Sequence, residues 1–271
     1  MTTPESPAVE AVHLSKTFLS GGWVRKDVVQ AVDDVSFRLK AGTTLALVGE
    51  SGSGKTTVAR MVAGLESPTE GEVRIFDEPR AARPGAKDRR AVARKVQLVF
   101  QNPYRSLDPR QTIGSAIEEF IQVHFDWDRA QREARVKDLL ELVSLPHRMR
   151  TALPSELSGG QRQRACIARA LAPEPRILVL DEAVAALDVS VQAHVLNVLA
   201  DVRDSTGVSY LFVTHDLAVV RQIADDVIVL RMGAVVESGP AARVLDEPQE
   251  QYTRILRDSV PRDGWTPSRR A

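Results

Sequence analysis

Gly49-Glu50-Ser51-Gly52-Ser53-Gly54-Lys55-Thr56-Thr57 decides the fold. It reads G-x-x-x-x-G-K-T, a phosphate-binding loop. Gly49, Gly52 and Gly54 carry no Cβ, so the backbone can turn tightly and aim N–H groups at phosphate oxygens. Glu50, Ser51 and Ser53 complete the loop, and Thr57 follows it into the next element. Lys55 has the reach and charge for β- and γ-phosphates, and the Thr56 hydroxyl suits Mg²⁺. Before the loop, Thr43-Thr44-Leu45-Ala46-Leu47-Val48 reads as a buried strand. After it, Val58-Ala59-Arg60-Met61-Val62-Ala63 reads as helix. A strand, a glycine loop and a helix N-terminus make an anion site. The lysine at this spacing argues against a G-x-G-x-x-G dinucleotide loop. The expected ligand is a nucleoside triphosphate.

Composition narrows the rest. The 271 residues suffice for one large domain or two small ones, and 43% are hydrophobic, enough for a substantial core. Lys+Arg and Asp+Glu are 36 each, so net charge gives no case for a nucleic-acid partner or a polybasic membrane binder. The one cysteine, Cys166, allows no internal disulfide or cysteine metal cluster and suits a reducing compartment. No apolar run approaches the ~18 residues of a membrane span, and residues 1–7 lack a secretory pattern. Residues 1–8 read as a disordered lead and 258–271 as a flexible tail. No internal repeat is visible.

Residues 9–18, 28–39 and 71–76 read as strands of antiparallel type, with 19–23 a turn or loop. Residues 79–90 read as a polar connection and 95–100 as a further strand. From about 112 to 148 the apolar spacing is helical, through Ile113, Ile117, Phe120 and Ile121, then Val136, Leu139, Leu140 and Val143. A helix is expected to follow the glycine loop at 157–161 and to end before Pro173. Arg176-Ile177-Leu178-Val179-Leu180 is a continuous apolar strand, as in the middle of a parallel sheet. A helix at 191–202, a strand at 210–213, a hairpin around Met232-Gly233 and closing helix over 244–257 complete an α/β pattern.

Asp181 and Glu182 directly follow that apolar strand. Ligands in open α/β sheets bind beyond the carboxyl ends of strands, so both acids fall at the phosphate loop's edge. Asp181 is the candidate to hold Mg²⁺, and Glu182 the candidate general base for an attacking water. Leu157-Ser158-Gly159-Gly160-Gln161 offers a hydroxyl, two glycines and a helix start, a second anion-binding N-terminus. A second such site suggests that two chains share each nucleotide.

Leu157 to Gln161, taken with the phosphate loop, Leu180-Asp181-Glu182, Gln101 and His215, resembles the ATP-binding subunit of an ABC transporter over about residues 9–257. That resemblance implies a RecA-like P-loop core with an antiparallel β subdomain and an inserted α-helical subdomain at about 105–170. It implies a head-to-tail dimer with ATP and Mg²⁺ at the interface. Gln101 matches the residue that touches Mg²⁺ and the water and couples to the membrane partner. His215 matches the switch histidine, Asp188 the aspartate that crosses to the other subunit, and Phe18 the aromatic stacked on adenine. Phe18 is equally a candidate core aromatic of the β subdomain.

A finer resemblance is to the dipeptide/oligopeptide importer branch, through Gln101-Asn102-Pro103-Tyr104 and its continuation to Arg110, Leu187-Asp188-Val189-Ser190, Thr214-His215-Asp216-Leu217 and Pro248-Gln249-Glu250-Gln251-Tyr252-Thr253. It implies permease partners, a second ATPase or a copy of this chain, an indirect solute-binding protein, and a peripheral place on the cytoplasmic membrane face. Two positions depart from the pattern. Ala183 stands where a proline is usual and Ala185 where a serine is usual; neither removes a catalytic group. The rival reading is a soluble ABC ATPase of repair, assembly or translation, against which the segment after Gln101 argues.

Overall fold

A computed structural model describes residues 6–20, 27–80, 85–101 and 103–258. The expectations placed on residues 1–5, 21–23, 81–84, 102 and 259–271 lie outside the described residues.

The chain opens with strands β1 (Val9–Ser20), β2 (Asp27–Leu39) and β3 (Thr44–Val48), then helix α1 (Lys55–Ala63). Strands β4 (Glu70–Ile75) and β5 (Glu78–Pro79), helix α2 (Ala86–Lys95) and strand β6 (Val96–Val99) follow. Four helices come next: α3 (Pro103–Ser106), α4 (Ile113–His124), α5 (Arg129–Leu142) and α6 (Gly159–Leu171). The remainder alternates: β7 (Ile177–Asp181), α7 (Val189–Thr206), β8 (Ser209–Val213), α8 (Leu217–Ile223), β9 (Asp226–Arg231), β10 (Ala234–Pro240), α9 (Ala241–Asp246) and α10 (Gln251–Asp258).

Two sheets result. β2-β1-β4-β5 is antiparallel, and β10-β9-β3-β8-β7-β6 is parallel except for the β9–β10 hairpin. The parallel strands read as unbroken apolar runs because both faces are covered. In β7, Ile177 and Val179 pack towards α1 and the small sheet, while Leu178 and Leu180 pack towards α6 and α7. In β8, Leu211 and Val213 take the first side and Tyr210 and Phe212 the second. Each fully buried side chain of this kind contributes roughly 1.5–3 kcal/mol.

The helices between β6 and β7 have their own start signals. Thr112 accepts the Ser115 amide at 3.3 Å to begin α4. Asp128 and Gln131 cap α5 reciprocally at 2.8 and 2.9 Å. Ile113, Ile117 and Ile121 then face Val136, Leu139 and Leu140 in one buried cluster.

The structure departs from the sequence reading at several points, among them Asp258, expected in the flexible tail, which ends helix α10. Part of the expected polar connection is helix α2, whose first turn is set by Asp88 accepting the Gly85 amide at 3.2 Å. Helix α8 begins where Asp216 caps the Ala218 amide at 2.8 Å. Ala8, expected in the disordered lead, is buried, and its amide donates to Leu39 at 2.8 Å.

Candidate functional site

Registry along the parallel sheet assembles the site. β3, β8, β7 and β6 are neighbours, with Leu47 opposite Val213, Val213 opposite Asp181, and Leu180 opposite Val99. Their carboxyl ends therefore deliver the 49–57 loop, His215, Asp181 with Glu182, and Gln101 to one edge.

The loop's conformation explains its glycines. Gly49 has φ 149°, and a Cβ there would meet the Leu230 carbonyl oxygen at 2.2 Å. Gly54 has φ 100°, and a Cβ would meet the Ala31 oxygen at 2.4 Å. Lys55 is 5% exposed, its Nζ donating to the Gly49 and Glu50 carbonyls at 2.8 and 2.7 Å. Burial lowers the Lys55 pKa, and the charges of Glu182, Asp181 and Glu50 push it back up. A cavity of about 260 Å³ lies against Ser51, Gly52, Lys55, Thr56, Thr57 and Glu182. A small concave site with loop backbone and a buried ammonium suits phosphate oxygens.

Thr56 Oγ1 donates to Asp181 Oδ1 at 3.0 Å. Asp181 is 6% exposed. Burial raises its pKa, helped by Glu182 and opposed by Thr56, Arg60 and Lys55. A buried carboxylate beside a hydroxyl is a pair of hard oxygen donors, which fits Mg²⁺.

Glu182 has φ 48°, a left-handed turn that an L residue adopts at a cost. Its amide donates to Val213 at 3.0 Å, tying the turn to β8. Gln101 Nε2 donates to Glu182 Oε2 at 2.6 Å, and His215 Nδ1 lies 3.4 Å from Oε1. Glu50, Lys55, Thr56, Asp181, Glu182, Gln101 and His215 are thus brought together.

The other expected residues make contacts of their own. Phe18 is 38% exposed on β1, with the Lys16 ammonium 5.0 Å from its ring centroid. Ser158 and Gln161 cap α6 reciprocally: the Gln161 amide donates to Ser158 Oγ at 3.3 Å and the Ser158 amide to Gln161 Oε1 at 2.9 Å. Gly159 and Gly160 have a packing reason within the chain. A Cβ on Gly159 would meet Leu187 Cδ2 at 3.4 Å, and one on Gly160 would meet Val191 Cγ1 at 2.2 Å. Asp188 caps α7 through the Val191 amide at 2.9 Å; this bond and one from Ser190 Oγ hold its carboxyl below the usual range. Of the two departures, Ala183 is buried and Ala185 exposed.

Tyr252, to which the sequence assigns no role of its own, also reaches the loop: its hydroxyl accepts the Glu50 amide at 3.2 Å. The only signal for it was its place in the 248–253 stretch.

Comparison with known proteins agrees with this geometry. A family model described as ABC transporter matches residues 32–185. A Brucella abortus protein named for peptide import ATP binding is 50% identical over 235 residues, covering 87% of this chain and 70% of its own. The dipeptide transport ATP-binding protein DppF of Haemophilus influenzae is 41% identical, covering 95% and 79%. A solved dimeric ATP-binding cassette, in a post-hydrolysis state with ADP and Pi, superposes with a TM-score of 0.76 at 29% identity, covering 86% and 98%. Sequence kinship and fold agree along most of both chains, and this chain belongs to the ABC transporter family as one of its ATP-binding, ATP-hydrolysing subunits.

Proposed function

We propose that the chain hydrolyses ATP within a two-cassette sandwich and so powers uptake of di- or oligopeptides through a membrane permease. The observation that carries this is the hold on Glu182. Gln101 sits 2.6 Å from one of its oxygens and His215 3.4 Å from the other, beside the cavity at Lys55 and Thr56. A carboxylate so held can take a proton from a water attacking the terminal phosphate.

Lys55 leaves the Gly49 and Glu50 carbonyls to pair with β- and γ-phosphate oxygens, and the amides of the 49–57 loop cradle the same phosphates. His215 contacts the γ-phosphate and helps orient Glu182. Thr56, Asp181 and Gln101 would hold Mg²⁺. When bound, that ion offsets charge on the β- and γ-phosphate oxygens. Phe18 offers its exposed ring to adenine.

Ser158, Gly159, Gly160 and Gln161 form a second capped helix start, at α6, and a second anion-binding N-terminus supports a role at the partner's nucleotide, with Asp188 crossing the same interface. The dimeric state of the solved cassette supports it too. The peptide substrate rests on the relatives named for peptide import and dipeptide transport. A relative named for glutathione import, 47% identical over 233 residues, keeps other small solutes in view. Among the described residues no helix is long and apolar enough to cross a membrane. A peripheral subunit on the cytoplasmic face, held there by its permease, fits this, with an extracytoplasmic solute-binding protein engaged only indirectly.

The test is to tag the Glu182→Gln variant and purify it from detergent-solubilised membranes with ATP present. The expected result is recovery of multi-span permeases, with a second ATPase or a further copy of this chain. Recovery only of cytosolic proteins would overturn the importer reading in favour of a soluble ABC ATPase.

A further inference from the structure

Two distant groups grip one peptide plane of the phosphate loop. The Gly49 carbonyl accepts Lys55 Nζ at 2.8 Å. The Glu50 N–H, at the other end of that same plane, donates to Tyr252 Oη at 3.2 Å, across 202 positions of chain. A trans peptide is rigid, with its C=O and N–H opposed. Turning it to release one bond breaks the other. Space is also tight, since a Cβ on Gly49 would meet the Leu230 oxygen at 2.2 Å.

Tyr252 is itself firmly placed. It is 8% exposed and packs with Val244, Leu245 and Leu256 in the cluster that covers Ala46 and Val48 of β3. The Arg231 guanidinium lies 5.0 Å from its ring centroid. The turn before α10 is fastened to β10, because Glu237 accepts the amides of Gln249 and Glu250 at 2.8 and 3.2 Å. Arg254 closes the turn onto the Pro248 and Gln249 carbonyls at 3.0 and 2.9 Å.

We propose that Tyr252 is a positioning residue for Lys55. Its hydroxyl fixes the Gly49–Glu50 peptide plane, and with it the carbonyl cradle from which the lysine is delivered to the triphosphate. The role rests on the reading that the 49–57 loop binds ATP. The closing segment at 248–254 is then part of the nucleotide site, although it lies far away in sequence.

Tyr252→Phe keeps the ring and removes only the acceptor. Equilibrium binding of MgATP to the purified chain should weaken by about 3- to 10-fold, the scale of one neutral hydrogen bond. KM should rise with it, kcat should stay within about twofold, and Tm within about 2 °C. Glu237→Ala, which loosens the turn carrying α10, should weaken binding in the same direction, and the double variant should lose less than the product of the two effects. Wild-type affinity in Tyr252→Phe would overturn the proposal, as would full additivity with Glu237→Ala. Lys55→Ala tests the loop reading separately. If that variant binds MgATP like wild type, the loop reading fails whatever Tyr252→Phe does.

Discussion

The amide of Gln101 and the carboxylate of Glu182 meet at 2.6 Å although 81 positions separate them in the chain. The contact joins the end of β6 to the turn after β7, and it occupies one of the two oxygens of the proposed base. Replacing Glu182 with Gln should keep nucleotide binding and lower phosphate release by about 10²- to 10⁴-fold, the range of general-base contributions. Gln101→Ala should lower turnover less, by about 10- to 100-fold, as expected for one hydrogen bond to a charged group. Phosphate release and equilibrium ATP binding, measured on both variants, check the order. Equal losses in the two would count against Glu182 as the base.

Asp181 carries a stability cost that its charge explains. Burial raises its pKa above the ordinary 3.8. In the window between the ordinary and the raised values, the folded protein keeps a proton that the unfolded chain has released. Stability therefore falls as pH rises through that window, and the full penalty is present above it. Asp181→Asn has no proton to lose. Its nucleotide-free Tm should exceed wild type at neutral pH, and the difference should close on acidification to below the ordinary value. The same variant should lose Mg²⁺-dependent turnover. Thermal melts against pH in chelator are the check, and a neutral-pH Tm below wild type would refute the assignment.

The legible parts of this protein are those whose cause is local. The 49–57 loop announces itself because Gly49, Gly52 and Gly54 all take positive φ, a backbone need carried by each residue itself, at a fixed short spacing from Lys55. β7 was readable because Ile177, Leu178, Val179 and Leu180 bury both faces. Helix α2 was not readable, since its Arg- and Lys-rich composition gives no apolar stripe. Tyr252 was not readable either, because its partner is 202 positions away and nothing local marks its hydroxyl. Gly160 shows a third case. Its motif points to a ligand, whereas the absent Cβ also answers to Val191 of its own chain.

Cys166 should be inert in the native protein. It is 3% exposed on α6, and burial pushes its thiol up to about 11, against the opposing charges of Arg169 and Arg162. The thiolate is the reactive form, so little of it exists near pH 8. A chromogenic thiol reagent should label the native chain slowly and the denaturant-unfolded chain fully. Rapid native labelling would show that α6 opens far more readily than its packing implies.

Gly160→Ala should destabilise the fold for a reason separable from nucleotide chemistry. The added methyl would sit 2.2 Å from Val191 Cγ1, where α6 packs against α7. Val191 is β-branched and has little rotamer freedom in a helix, so the strain falls on the packing between the two helices. Overpacking of this kind costs about 1–3 kcal/mol, and each kcal/mol lowers Tm by roughly 2–4 °C in a chain of this size. Val191→Ala removes the clashing methyl. The double variant should therefore recover most of the Tm that Gly160→Ala loses, beyond what the two single changes would sum to. Thermal melts of the four chains without nucleotide isolate this packing effect. If the second change gives no recovery, Gly160 is not held small by Val191, and contact with a partner's nucleotide is left to explain that glycine.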